Sequence, residues 1–281
     1  MENIVNTAYA NQLATCKKLG RPYTIQKFTT MNEKLGLNAN AALQSGKYPI
    51  TQYYAIGDGG HTFVASTNGG NPTIMPLQHE ADDANLFHQI PFILRLPTND
   101  IDPTTMSNYA MRGTYVTPDG TTYIAYWLRR IDLSSTNPEL QLRSVVNGTT
   151  SVDAFVPTSE NLSPVANKLA VTGVNTISGN YICSSAQVEM DMSAFEIAEL
   201  MNVFNILYGN TNSAIISEML LCSGVDSIQQ ITVGTATINF NDAICVQADT
   251  FISDFKLLSY DNAGITRLLD IGSNAPIMSI S

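Results

Sequence analysis

Residues 175–226 constrain the fold most, because they spell strand, capped helix, turn and strand in unbroken order. Val188, Glu189 and Met190 lead into Ser193–Ala194–Phe195–Glu196. Ser at an N-cap with Glu three residues on is a capping box: hydroxyl and carboxylate each satisfy a backbone N–H that the helix leaves unpaired. Met192 and Ile197 flank it at hydrophobic-staple spacing. Ile197, Leu200, Met201 and Phe204 recur at i, i+3, i+4 and i+7, which is one apolar helix face. Tyr208–Gly209–Asn210 ends the helix, predicted over 193–208. Residues 214–222 are a near-continuous apolar run, as expected of a covered strand, closing at Ser223–Gly224. The segment is rich in structural signals and offers nothing suited to catalysis, which favours a scaffold over an enzyme.

The charge pattern narrows the partners. Only 14% of the 281 residues are charged, against about 25% in typical domains. Residues 1–143 carry 11 Lys/Arg and 11 Asp/Glu. Residues 144–281 carry Lys168, Lys256 and Arg267 against 13 acids, so the whole net charge of −10 lies in the second half. A nucleic-acid binder needs a basic face to displace counterions from phosphates, and that half has none. Arg95, Arg112, Arg129, Arg130 and Arg143 read as alternate strand residues facing solvent or a neighbouring subunit. An acidic half beside a neutral one also suits head-to-tail protein packing.

No cofactor or metal site is expected. Cys16, Cys183, Cys222 and Cys245 form no CxxC pair, and three of them lie in apolar runs as small hydrophobes. His79–Glu80–Ala81–Asp82–Asp83 with His88 is the densest set of potential ligands, but it lacks HExxH spacing and reads as a solvated acidic turn. Gly57–Asp58–Gly59–Gly60 lacks the Lys-Ser/Thr of a phosphate loop and reads as a hairpin turn between strands within 53–64. No G-x-S-x-G is present. No basic n-region follows Met1, and no apolar run nears the length of a membrane span. The expectation is synthesis in a reducing cytoplasm, without membrane insertion.

Along the chain, residues 2–19 read as an opening helix ending at Gly20, and 30–35 and 38–43 as short helical turns. Residues 66–76 read as a loop, and 104–110 as a short helix. The clearest hairpin joins 112–116 to 122–131 through Pro118–Asp119–Gly120, where Pro presets φ and Gly accepts φ > 0. Tyr123, Ala125, Trp127 and Arg129 share one face of its second arm; Ile124, Tyr126, Leu128 and Arg130 share the other. Neither face is plainly polar, so both are expected to be covered. Residues 137–165 read as a link or long loop, 168–174 and 176–190 as β, and 228–240 and 243–246 as strands separated by Asn241–Asp242.

The strand–helix–strand pattern resembles bacteriophage baseplate wedge and tail-fibre attachment proteins. Ile216–Ser217–Glu218–Met219–Leu220–Leu221 stands where that group has I-x-E-I-G-L, with Leu220 in place of the Gly. The runs 90–95 and 126–132 resemble virion proteins of contractile-tailed phages. The resemblance implies a non-enzymatic structural protein of the virion tail, assembled in the host cytoplasm.

The expected fold is mainly β with a few helices (α+β), with a β-sandwich-like core and long loops. The expected segments are 1–45 as an N-terminal helical docking segment, 46–145 as a β-rich region and 146–281 as a β-rich region with the capped helix. The expected partners are copies of the chain and other tail or baseplate proteins. Tyr123, Tyr126, Trp127, Arg129 and Arg130 are the candidate interface residues, because aromatic and Arg side chains dominate binding hot spots. The alternatives are an exposed receptor- or carbohydrate-binding module, served by the aromatic set Tyr53, Tyr54, Phe63, Tyr115, Tyr123, Tyr126 and Trp127, and a neck or connector protein.

Overall fold

The computed structural model describes residues 3–65, 72–146, 149–160, 179–212, 214–234, 236–259 and 263–277. In chain order these form β1 (Asn3–Asn6), α1 (Ala8–Leu19), α2 (Met31–Leu35), β2 (Ile50–Gly57), β3 (His61–Val64), β4 (Thr73–Pro76), β5 (Gln89–Ile90) and β6 (Ile93–Arg95). There follow α3 (Pro103–Met106), β7 (Tyr109–Val116), β8 (Thr122–Arg130), β9 (Glu139–Val146), β10 (Thr149–Ala154), β11 (Gly179–Ser193), α4 (Ala194–Tyr208), β12 (Ile215–Val233), β13 (Ala236–Leu257) and β14 (Gly264–Ile277). The protein is mainly β with α+β character, as its sequence pattern implies.

Two compact units share the chain. One comprises residues 1–131 and 191–265, the other 132–190 and 266–281. This corrects the expected division into three consecutive segments. Strands far apart in sequence pair with one another, so sequence order does not mark the units. In the smaller unit, the strands run in the order β10-β9-β11-β14. The expected loop 137–165 thus contains the β9–β10 hairpin. Residues 161–178, including the predicted strand at 168–174, lie outside the described residues.

The larger unit is built on an eight-stranded sheet in the order β1-β13-β12-β2-β8-β6, with β5 on β2 and β7 on β8. β2 and β8 pair only at Tyr53↔Arg130 and Tyr54↔Arg129, then diverge. Residues 89–95 fill the fork: Gln89 and Ile90 pair with β2, and Ile93, Leu94 and Arg95 with β8. Pro91 sits between the two ladders, at a position that donates to neither. The predicted hairpin across 57–60 is corrected: β2 pairs with β12, while β3 pairs with β4.

The β12–β13 hairpin is the longest element, and it is asymmetric. Three register shifts each place one more residue on β13 than on β12, which accounts for 22 residues opposite 19. Bulges of this kind bend and coil a ribbon. At one of them Cys245 takes φ +54, and the side chain of Asn32 in α2 serves the backbone groups the bulge frees. Its Nδ2 donates to Ala243 O (3.0 Å), and its Oδ1 accepts from Val246 N (2.9 Å). Met31 beside it is fully buried, and β1 pairs with β13 as an edge strand. Parts of the N-terminal segment, β1 and α2, therefore pack on the unit's own β13, whereas most of α1 is exposed. The opening helix also begins later than expected, because Thr7 caps it from an extended backbone.

A second bulge places Asp249 inside the protein. Its carboxylate accepts from Thr51 Oγ1, while Oδ1 has no partner among the described residues. Burial, only partly offset by hydrogen bonds from Thr51 and Ser223, pushes its pKa up to about 6. A folded pKa above the unfolded one means that ionisation costs stability. The group's contribution is full below pH ~4 and is lost as pH rises through ~6, amounting to about 3 kcal/mol at ~1.4 kcal/mol per unit. Asp249→Asn should therefore gain about 3 kcal/mol relative to the natural chain between pH ~4 and ~8. Urea unfolding at the two pH values measures this, and an unchanged difference would refute it.

Candidate assembly interface

The five residues singled out for an interface lie mostly inside the larger unit. Tyr126 is fully buried and Trp127 is 9% exposed. Tyr126 donates to Asp100 Oδ1 (2.8 Å), which Arg112 also engages through Oδ2 (2.7 Å). Arg129 Nε lies 2.5 Å from Glu196 Oε1 at the start of α4, and Tyr109 donates to the same oxygen (2.8 Å). Arg130 lies 2.7 Å from Asp226 and over the Tyr53 ring (5.0 Å). Tyr123 is half-buried. Both faces of β8 are thus covered, but by this chain. As a docking surface most of the set is corrected: Tyr126 and Trp127 are core, and both guanidinium groups already have partners.

What those contacts secure is the root of an arm. Between Asp226 and Asp242 lie fifteen residues, 227–241, with no charged side chain. Asp226 accepts from Arg130, Tyr53, Asn241 Nδ2 (2.9 Å) and Gln52 Nε2 (3.3 Å). Burial alone would raise its pKa, but these donors hold it below the ordinary carboxylate value. Asp242 on the opposite strand accepts from Met111 N (2.5 Å), Ala243 N (2.9 Å) and Asn38 Nδ2 (2.9 Å). Beyond these two anchors, β12 and β13 pair with each other from Ser227↔Asp242 to Val233↔Ala236, and among the described residues no third strand joins them. Ile231, Val233 and Ile238 line one face of this ribbon, half-buried. Ile228 stands on the other face, 74% exposed. The sequence shows the uncharged, β-branched stretch. It misplaces the strand break, because Asn241 and Asp242 look like turn residues but belong to the root of β13.

At the opposite end of the same hairpin, near Ser217 and residues 253–255, lies the β3–β4 ribbon. Its pairing sets Phe63 across from Ile74 and His61 across from Pro76. Phe63 is 58% exposed, and Val64, Ile74 and Met75 are also exposed. His61, Ile74, Pro76 and Phe255, with Asp254 and Ser253, line a cleft of about 280 Å³. The Nδ1 of His61 is shielded from solvent yet lacks a hydrogen-bond partner among the described residues. Residues 62–78 also contain no charged side chain.

Between these surfaces sits a carboxylate with four hydrogen-bond partners. Glu218 is fully buried and accepts from Phe87 N (3.0 Å), His88 N (2.9 Å) and Gly59 N (3.2 Å). The ring of His79 lies between Phe87 and Phe251, with centroids 4.1 and 3.9 Å away. Its nitrogens meet Asp83 Oδ2 and Glu218 Oε2, each at 2.9 Å. The acidic stretch at 79–83 is therefore not a solvated turn around His79. Glu218, 139 residues away in sequence, is the partner no local signal reveals. Among the described residues, no group of three or more His, Cys, Asp or Glu is placed to hold a metal ion. No helix among them is long and apolar enough to cross a membrane.

Neither curated proteins nor solved structures give a match to this chain. The profile of a family of unknown function (DUF7208) matches residues 1–281, and the chain belongs to that family.

Proposed function

We propose that this chain is a structural assembly protein of a bacteriophage virion, a tail baseplate component that docks onto copies of itself and onto other tail proteins. The observation that carries this reading is the arm at 227–241. An isolated two-stranded ribbon is marginal in water. Here it extends from a sheet held at the arm's root by the Arg130–Asp226 ion pair, presents no charge and, among the described residues, leaves its backbone edges open. Open edges of this kind are templates for another chain unless something covers them. The carbohydrate-binding alternative needs an open aromatic groove, whereas Tyr53, Tyr54, Tyr126 and Trp127 are buried.

Mass spectrometry of purified particles, from a phage that encodes this chain, tests the proposal. The protein is expected at a fixed copy number and in the tail fraction after heads and tails are separated. Its absence from complete particles would overturn the virion reading.

A further inference from the structure

The geometry points to a head-to-tail contact in which the apolar face of the arm of one copy lies on the apolar face of the β3–β4 ribbon of a second copy. The inference rests on the assembly reading and names its self-contact. Neither ribbon carries a charged side chain, on a chain with net charge −10, although the cleft beside the β3–β4 ribbon also takes in Asp254 next to Phe255. Identical copies with that charge repel each other, least of all where neutral faces meet. A charged partner would find nothing to pair with on either ribbon, while a second copy supplies the matching neutral surface.

Reach decides that the contact is between copies. From Glu218 to Val233, β12 runs at most about 50 Å at ~3.3 Å per residue, shortened by its bulges, away from the end where the β3–β4 ribbon lies. The arm of a chain points away from its own ribbon and presents itself to the next. Ile231, Val233 and Ile238 would cover Phe63, Ile74 and Phe255, and a polar group of the arm would satisfy His61 Nδ1. Because the two surfaces differ, each copy uses both. The contact closes into a ring if its rotation permits and otherwise continues as a stack.

Sedimentation velocity on the full chain, from about 1 µM upward, reads the outcome for an interface of ordinary strength. One variant blocks the arm (Ile231→Glu with Ile238→Glu), and one blocks the ribbon (Phe63→Glu with Ile74→Glu). A third shortens the arm, with Asn-Gly replacing residues 230–239 between the paired Gln229 and Phe240. Circular dichroism selects variants that keep the native fold. The natural chain is expected to form oligomers and each variant alone to stay monomeric. An equal mixture of arm-blocked and ribbon-blocked copies should give a one-to-one heterodimer and nothing larger, since one intact arm then meets one intact ribbon. Variants that associate like the natural chain, variant mixtures that stay monomeric, or a natural chain that is monomeric throughout would each overturn the inference. Those results leave presence in the virion untouched, and particle composition tests that separately.

Discussion

Glu218→Ala should unfold the larger unit or bring it close to unfolding. The carboxylate is fully buried and receives three backbone N–H groups and one ring nitrogen of His79. Removing it leaves three buried donors without acceptors, each costing about 1–3 kcal/mol. It also leaves His79 facing only Asp83, a fourth buried polar group that loses its partner at a similar cost. The loss is at least ~4 kcal/mol, comparable to the whole stability of a typical domain. Glu218→Gln keeps one acceptor oxygen and should lose about half as much. Circular dichroism and urea unfolding of the three proteins measure the series. A well-folded Glu218→Ala chain within ~2 kcal/mol of the natural one would show that water or rearrangement serves these donors instead.

The same site explains a motif the sequence displays but does not explain. Gly57–Asp58–Gly59–Gly60 has the composition of a tight turn. In the structure its glycines serve close approach: a Cβ on Gly57 would lie 2.5 Å from Glu218 Oε1, and one on Gly60 2.5 Å from Ser217 O. Composition alone cannot distinguish a backbone that must turn from one that must let another strand come near. The elements that were legible have local causes. The Pro118–Asp119–Gly120 hairpin and the cap at Ser193 need only neighbours within a few residues, and both form as read. The alternation along β8 was equally plain, but a period of two reports that a face is covered, not by what, so Tyr126 and Trp127 looked like docking residues. The three bulges that lengthen β13 shift its phase, and two of them are held by remote partners, Asn32 and Thr51. Neither the arm's extent nor its root could be placed without those partners.

Glu196 joins the legible and the illegible, and its substitution separates them. Locally it completes the capping box: Ser193 N donates to Oε2 (2.8 Å) and Glu196 N to Ser193 Oγ (3.3 Å). Remotely it holds Arg129 and Tyr109 from the main sheet. Burial alone would raise its pKa, but the Ser193 N–H, Arg129 and Tyr109 hold it below the ordinary value. A depressed folded pKa means that this contribution is present at neutral pH and is lost as pH falls through the folded value. Ser193→Ala removes only the cap and should cost about 1 kcal/mol. Glu196→Ala removes the cap and leaves a largely buried guanidinium unpaired, so about 4 kcal/mol is expected. Adding Arg129→Met should recover part of that loss, because an apolar side chain of similar length needs no partner in a covered site. Urea unfolding at neutral pH of the single and double variants decides it. Equal losses for Ser193→Ala and Glu196→Ala would reduce Glu196 to a helix cap. A double variant no more stable than Glu196→Ala would mean that the unpaired charge is not the source of the cost.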